Sequence, residues 1–174
     1  MVAFNKRLLS LCILLLFTVT ARAQNVSEQY CKYIEDSVIK KLNPTKMNRR
    51  EVYSTECVFE FTVTDDIDVT LRIEKHGTEA EGHKSLEGTL ALTALYLGLE
   101  SKEELRFDRL DTGNSWDEVY FNKATKMNSG SLLLRKGNTT IEMLSLKDEI
   151  LIRMEQLLRD EIGCEKPSTM PINN

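Results

Sequence analysis

The runs CVFEFTV at 57–63 and IDVTLRIEK at 67–75 alternate apolar and polar residues with a period of two, and only Thr64-Asp65-Asp66 separates them. A period of two sends successive side chains to opposite faces of a strand. Cys57, Phe59, Phe61 and Val63 therefore share one face, and the turn-forming aspartates between the runs predict an antiparallel hairpin. A two-stranded ribbon with one apolar face does not stand alone in water. The rest of the chain has to provide further strands and helices to cover it.

Those elements are legible in outline. Ser27 predicts a cap for a helix through EQYCKYIEDSVIKKL, which Asn43-Pro44 ends because the residue before proline is pushed out of the helical region. Thr78 and Glu81 form a capping-box pattern opening EAEGHKSLEGTLALTALYL, with Gly98 as its stop. Ser101 and Glu104 suggest one more helical turn. LRFDRL, WDEVYFNK, SLLLRK and TTIEML follow as four strand-like runs separated by turn residues. Ser145 and Asp148 predict a capping box for a last helix, on which Leu146, Ile150, Met154, Leu157 and Leu158 form an apolar stripe. Glu149/Arg153 and Glu155/Arg159 pair on its outer side. The expectation is an α+β domain, an antiparallel sheet with helices packed on it in the order α-β-β-α-β-β-β-β-α.

Between the last two strand runs lies RKGNTT. A phosphate loop needs several glycines leading from a strand into a helix, so that backbone amides converge on the anion. This stretch leads from strand to strand with one glycine. Gly137-Asn138 instead suits a tight hairpin, as a dipeptide that accepts positive φ at both turn positions. Asn138-Thr139-Thr140 and Asn25-Val26-Ser27 also match the N-glycan acceptor, which has meaning only in a eukaryotic host.

At the N-terminus, Lys6 and Arg7 precede an apolar run from Leu8 to Val19, and Ala21-Arg22-Ala23 closes it with small residues where a signal peptidase inspects the chain. Residues 1–23 read as a cleaved secretory signal, with Cys12 inside the discarded segment. Residues 24–166 form a single domain, and 167–174 a disordered tail. No later stretch approaches the ~20 apolar residues of a membrane helix. The whole chain carries 23 Lys+Arg and 27 Asp+Glu; without the three basic residues of 1–23, 20 bases face 27 acids, a net charge of −7. A surface of that sign repels phosphate backbones and anionic headgroups, which disfavours nucleic acid and membrane-surface partners. Three cysteines remain in the mature chain, and in an oxidising compartment three pairings are open. Cys31 shares a helical face with Ile34, Val38 and Leu42, and Cys57 has the inward parity of its strand, whereas Cys164 follows Gly163 at the start of the tail. The facing argument selects Cys31–Cys57.

The helix with a cysteine, the second cysteine entering a hairpin, the central helix and the meander whose last hairpin reads LLLRKGNTTIEML before a closing helix resemble the PsbP-like αβα sandwich, including its LpqN-type and small periplasmic members. The resemblance covers about residues 27–162 and implies that fold and an accessory or binding role. It implies no catalytic set.

Candidate chemistry is sparse. Glu79 and His83 stand four apart on the central helix with His76 just before it, a spacing compatible with metal binding, but a metal centre needs further ligands and a second shell, and solvated helix residues are the simpler reading. Asp65-Asp66-Ile67-Asp68 lacks the glycine and terminal glutamate of a calcium loop. Trp116, Tyr120 and Phe121 read as packing residues. No catalytic residue, cofactor site or metal site is assigned. The reading that remains is a secreted or periplasmic non-enzymatic binding module for a protein partner, with an immunity or inhibitor protein as a specific option. The alternatives are a hydrolase whose carboxylate pair forms only in the fold, and a carrier of a small apolar ligand.

Overall fold

The computed structural model describes residues 28–163, apart from Met127. The signal segment, Cys12, Asn25, the Ser27 cap, Cys164 and the C-terminal tail lie outside the described residues. The first helix, α1, covers 28–42. It is α-helical at 28–34, π-helical over Glu35–Ile39, and closes in a 3₁₀ turn over Lys40–Leu42 before Asn43 turns left-handed at φ 52°. The strands are β1 (Lys46–Val52), β2 (Glu56–Val63), β3 (Ile67–Lys75), β4 (Glu118–Asn122), β5 (Gly130–Lys136) and β6 (Thr139–Ser145). Helix α2 spans Glu79–Tyr96 between β3 and β4, and α3 spans Asp148–Leu158 after β6. All five strand pairings are antiparallel, in the spatial order β1-β2-β3-β6-β5-β4.

The sheet is covered on both faces, unequally. Phe59, Phe61, Leu71, Met143 and Leu134 point to the face on which Ile34 and Val38 of α1 and Leu151, Met154 and Leu158 of α3 pack, and all ten are 0% exposed. Burying side chains of this size stabilises by ~2–3 kcal/mol each, so this layer dominates the core. On the opposite face α2 sets Leu86 and Leu90 against Leu133, flanked by Leu105 and Tyr120. Double cover explains why Leu132, Leu133 and Leu134 are all buried in succession, where a half-exposed strand would alternate. Cys31 and Cys57 form a disulfide with Cα atoms 5.6 Å apart, tying α1 to β2.

The class expected from the sequence is present, but the order of elements is α-β-β-β-α-β-β-β-α. KMNRREV forms the edge strand β1, whose charged, exposed side chains and irregular register between Met47 and Arg49 conceal any alternation. Such features keep an edge from pairing with other chains. LRFDRL is not a strand; its backbone joins the sheet through the bridge between Asp108 and Phe121, while Phe107 meets Tyr120 edge-on and Leu105 and Leu110 pack as half-buried side chains.

The start of α3 also differs. Ser145 is committed to the β6 ladder, paired with Val69 and Gly130, so the cap position falls to Lys147, without a side-chain cap. The Ser145 hydroxyl accepts from the Lys147 N–H at 3.2 Å, Asp148 accepts from the Ala124 N–H at 2.7 Å, and Leu146 is left 55% exposed. The Glu155/Arg159 pair does not lie on the outer side either. Glu155 is 0% exposed and accepts from the Trp116 indole N–H at 2.6 Å and from Arg159 at 2.6 and 3.0 Å. Trp116 is itself a core residue, as expected.

In the β5–β6 hairpin Gly137 has φ 55°, but Asn138 is not among the residues of positive φ. Positive φ at the first turn position alone is the signature of a type II′ turn, not the type I′ turn that a Gly-Asn pair also permits.

Candidate functional site

Helix α2 and the sheet face beneath it gather most of the polar side chains that have chemical potential. The helix begins at a reciprocal capping box: the Glu81 N–H donates to the Thr78 hydroxyl at 3.2 Å, and the Thr78 N–H donates to the Glu81 carboxylate at 3.1 Å. Its first turn rests on the tip of the β5–β6 hairpin, where Gly82 allows close approach, since a Cβ there would lie 3.4 Å from the Asn138 backbone. The His76 N–H donates to the Asn138 carbonyl at 2.8 Å, and Asn138 Nδ2 donates to the His76 carbonyl at 2.6 Å. The atom that would carry a glycan at Asn138 is thus part of the joint that aligns α2 on the sheet.

Two groups of side chains flank the helix. Toward β3, Arg72, Glu74, Thr140, Glu142, Ser85 and Thr89 line a cleft of about 70 Å³ together with Leu86, Leu133 and Ile141. Burial pushes the Glu142 carboxyl above its usual range against the opposing pull of Arg72, 4.0 Å away. Arg72 also pairs with Glu56. Toward β4, His83, Glu87 and Glu118 place ligand-type atoms within 4.8 Å of one another. His83 Nδ1 lies 2.9 Å from the Glu118 carboxylate, which also pairs with the Arg135 guanidinium and accepts from the Tyr120 hydroxyl at 3.3 Å. Burial opposes ionisation of Glu118, but hydrogen bonds from His83 and Arg135 outweigh it and hold the carboxyl below its usual range. Glu87 forms an ion pair with Lys102.

This second group holds the residues best placed to ligate a metal among those described, yet each of its carboxylates already faces a basic side chain. A cation would have to displace Lys102 and compete with Arg135, so the local charge offers it little attraction. What the arrangement does is structural: Arg135 joins Glu118, Asp117 and the Gly137 carbonyl, and Asp117 in turn accepts from the Gly137 N–H at 2.7 Å. The strands and the hairpin tip are cross-linked under α2.

The structure does not assemble the histidine pair suggested by spacing. His76 lies 3.0 Å from the Thr140 hydroxyl and 3.9 Å from Glu74, while His83 turns to Glu118, and Glu79 is absent from both groups. A spacing of four on α2 pointed to Glu87 as readily as to Glu79; Glu118, 31 residues beyond Glu87, left no local signal. Asp66 occupies a left-handed turn position at φ 55°, whereas Asp68 already lies in β3 and accepts from the hydroxyl of its cross-strand partner Thr62 at 2.8 Å.

One surface feature passed unnoticed in the sequence. The outward side of the C-terminal half of α2 and the turn after it carry Leu92, Leu95 and Leu97 at 68%, 72% and 50% exposure, while Leu86, Leu90 and Ala94 face the sheet. Its signal was present: residues 88–99, GTLALTALYLGL, contain no charged side chain.

The molecule is thus an α+β domain with a six-stranded antiparallel sheet and helices on both faces. No family model, curated protein or solved structure matches the chain.

Proposed function

We propose that the chain is a secreted or periplasmic, non-enzymatic binding module that engages a protein partner, and that the outward face of α2 is its docking surface. The observation that carries this reading is the exposure of Leu92 and Leu95 on a helix whose other side is already packed, with Leu97 exposed in the turn after it. Contiguous apolar surface on a folded domain marks interaction sites, because leaving it in water costs free energy that burial against a partner recovers. Two further observations support it. The cleft of about 70 Å³ is small beside the ~300–1,000 Å³ of ligand pockets, which disfavours a carrier or a glycan hydrolase. The carboxylates near α2 are mostly held by Arg72, Lys102 and Arg135, which suits a rigid platform better than an acid/base pair.

A disulfide and the lack, among the described residues, of any helix long and apolar enough to cross a membrane agree with an exported domain. The signal reading of 1–23 and the PsbP-like kinship belong to the same proposal. The test is site-specific: a photoreactive side chain in place of Leu92 should capture a defined protein in the native host, and Leu95→Glu should abolish capture without altering thermal stability. If the purified domain instead turns over glycan, ester or peptide substrates, and Glu142→Gln removes that activity, the binding reading gives way to the hydrolase one.

A further inference from the structure

We infer that the cleft between α2 and strands β3 and β6 is a receptor for one lysine side chain of the partner protein, its ammonium held by Glu74 and Glu142 and its methylene stem by the aliphatic lining. The inference rests on the reading of the outward face of α2 as a docking surface, which the cleft adjoins. Ser85 and Thr89 line the cleft, and Leu92 follows Thr89 by three residues on the same side of the helix.

The ladder brings the charges of the cleft together without closing them on one another. Cross-strand pairing sets Arg72 beside Glu142 and Glu74 beside Thr140, with Glu56 beside Glu74 one strand further out. Arg72 makes its close contact with Glu56, which is not part of the lining. Its guanidinium stays 4.0 Å from Glu142, and His76 Nδ1 stays 3.9 Å from Glu74. Both separations exceed hydrogen-bond reach. Two half-buried carboxylates thus face the cleft with no close cation on either. Turning a carboxylate from water without a near counter-charge is costly, and this burial is what raises the Glu142 carboxyl above its usual range.

The remaining lining selects the kind of cation. Leu86, Leu133 and Ile141 offer apolar contact to a methylene stem, the part of a lysine that buries while its ammonium stays among polar groups. The acceptors stand on three different elements: the Ser85 hydroxyl on α2, Glu74 on β3 and Glu142 on β6. An ammonium spreads three donors in space, whereas a guanidinium holds its donors in one plane, so dispersed acceptors suit lysine better than arginine. A volume of about 70 Å³ takes the end of one side chain and not a free ligand of ~300 Å³ or more. Glu74 and Glu142 are also not part of the one metal-type cluster among the described residues.

Titration of the purified mature chain with n-butylammonium chloride at low salt and pH 7, followed by NMR of the amide and carboxyl resonances, tests this. Saturable shifts at Ser85, Thr89, Thr140 and Glu142 are expected, with a Kd on the order of 1 to 10 mM. n-Butanol and n-butylguanidinium should bind at least fivefold more weakly, and Glu142→Gln should weaken n-butylammonium at least tenfold with its melting temperature retained. Ser85→Leu, which fills the cleft from the helix side, should abolish the shifts. No saturable shift in the cleft up to ~0.1 M, or binding indifferent to Glu142→Gln in a folded variant, overturns the inference. Tenfold tighter binding of free 1,4-diaminobutane also overturns it and assigns the cleft to a small amine. The Leu92 photocrosslink is read separately. Leu92-dependent capture that continues undiminished in Glu142→Gln refutes the lysine receptor and leaves the docking face standing, whereas ammonium binding without Leu92-dependent capture refutes the docking face and, with it, the partner as the source of the lysine.

Discussion

Replacing Glu155 by alanine should be among the most damaging single changes in the domain. The carboxylate is 0% exposed and takes three hydrogen bonds, one from Trp116 at 2.6 Å and two from Arg159 at 2.6 and 3.0 Å. Truncation leaves the indole N–H without its acceptor inside the core, which costs ~1–3 kcal/mol. It also removes the counter-ion of Arg159. Breaking a fully buried pair costs ~3–5 kcal/mol, but the Arg159 side chain is 29% exposed and regains water, so its share is at the low end. The combined estimate is about 3 kcal/mol, or roughly 10 °C in Tm for a domain of this size. Glu155→Gln keeps an acceptor for Trp116 and should lose about half as much. Trp116 is the chain's single tryptophan, so its fluorescence reports on this site in urea unfolding. With m near ~2 kcal/mol/M, the alanine variant should unfold about 1.5 M earlier. A midpoint shift below ~0.5 M would show that Glu155 is not a buried hub of the fold.

Three other outcomes follow from the same physical arguments. The Cys31→Ala/Cys57→Ala double variant should lose ~3.5 kcal/mol, the chain-entropy value for a 26-residue separation, and reducing agent should lower the melting temperature of the wild type but not of this variant. Gly137→Val should cost ~1–2 kcal/mol because φ is 55° there; an unchanged melt would mean that the hairpin turns differently. Glu142 and Glu118 should shift the pH dependence of stability in opposite senses. The raised Glu142 carboxyl contributes stability below its unfolded pKa that is lost as pH rises through the folded one, so Glu142→Gln should gain on wild type toward neutral pH. The lowered Glu118 carboxyl contributes stability above its unfolded pKa that is lost as pH falls through the folded one, so the penalty of Glu118→Gln should shrink on acidification.

Local chemistry made the strongly patterned elements legible. The β2–β3 hairpin, the Thr78 capping box, the stop at Gly98 and the inward facing of Cys31 and Cys57 each depend on residues within a few positions of one another, where period and φ preference decide. Elements set by position in the sheet were not legible. β1 is a charged edge strand held by its ladder with β2, and LRFDRL has the composition of a strand but no neighbour to pair with beyond one bridge. The same distinction separates the two sides of Glu155: its i,i+4 spacing with Arg159 was visible in the sequence, but the arrival of Trp116, 39 residues away, is what makes the pair part of the interior. Around α2 the difference is greatest. The charge-free run at 88–99 was present in the chain from the start, yet only the packing of Leu86 and Leu90 on Leu133 determines which leucines are buried and which face water. A helix that is apolar on all sides has no preferred inner face of its own, and the sheet beneath it makes the choice.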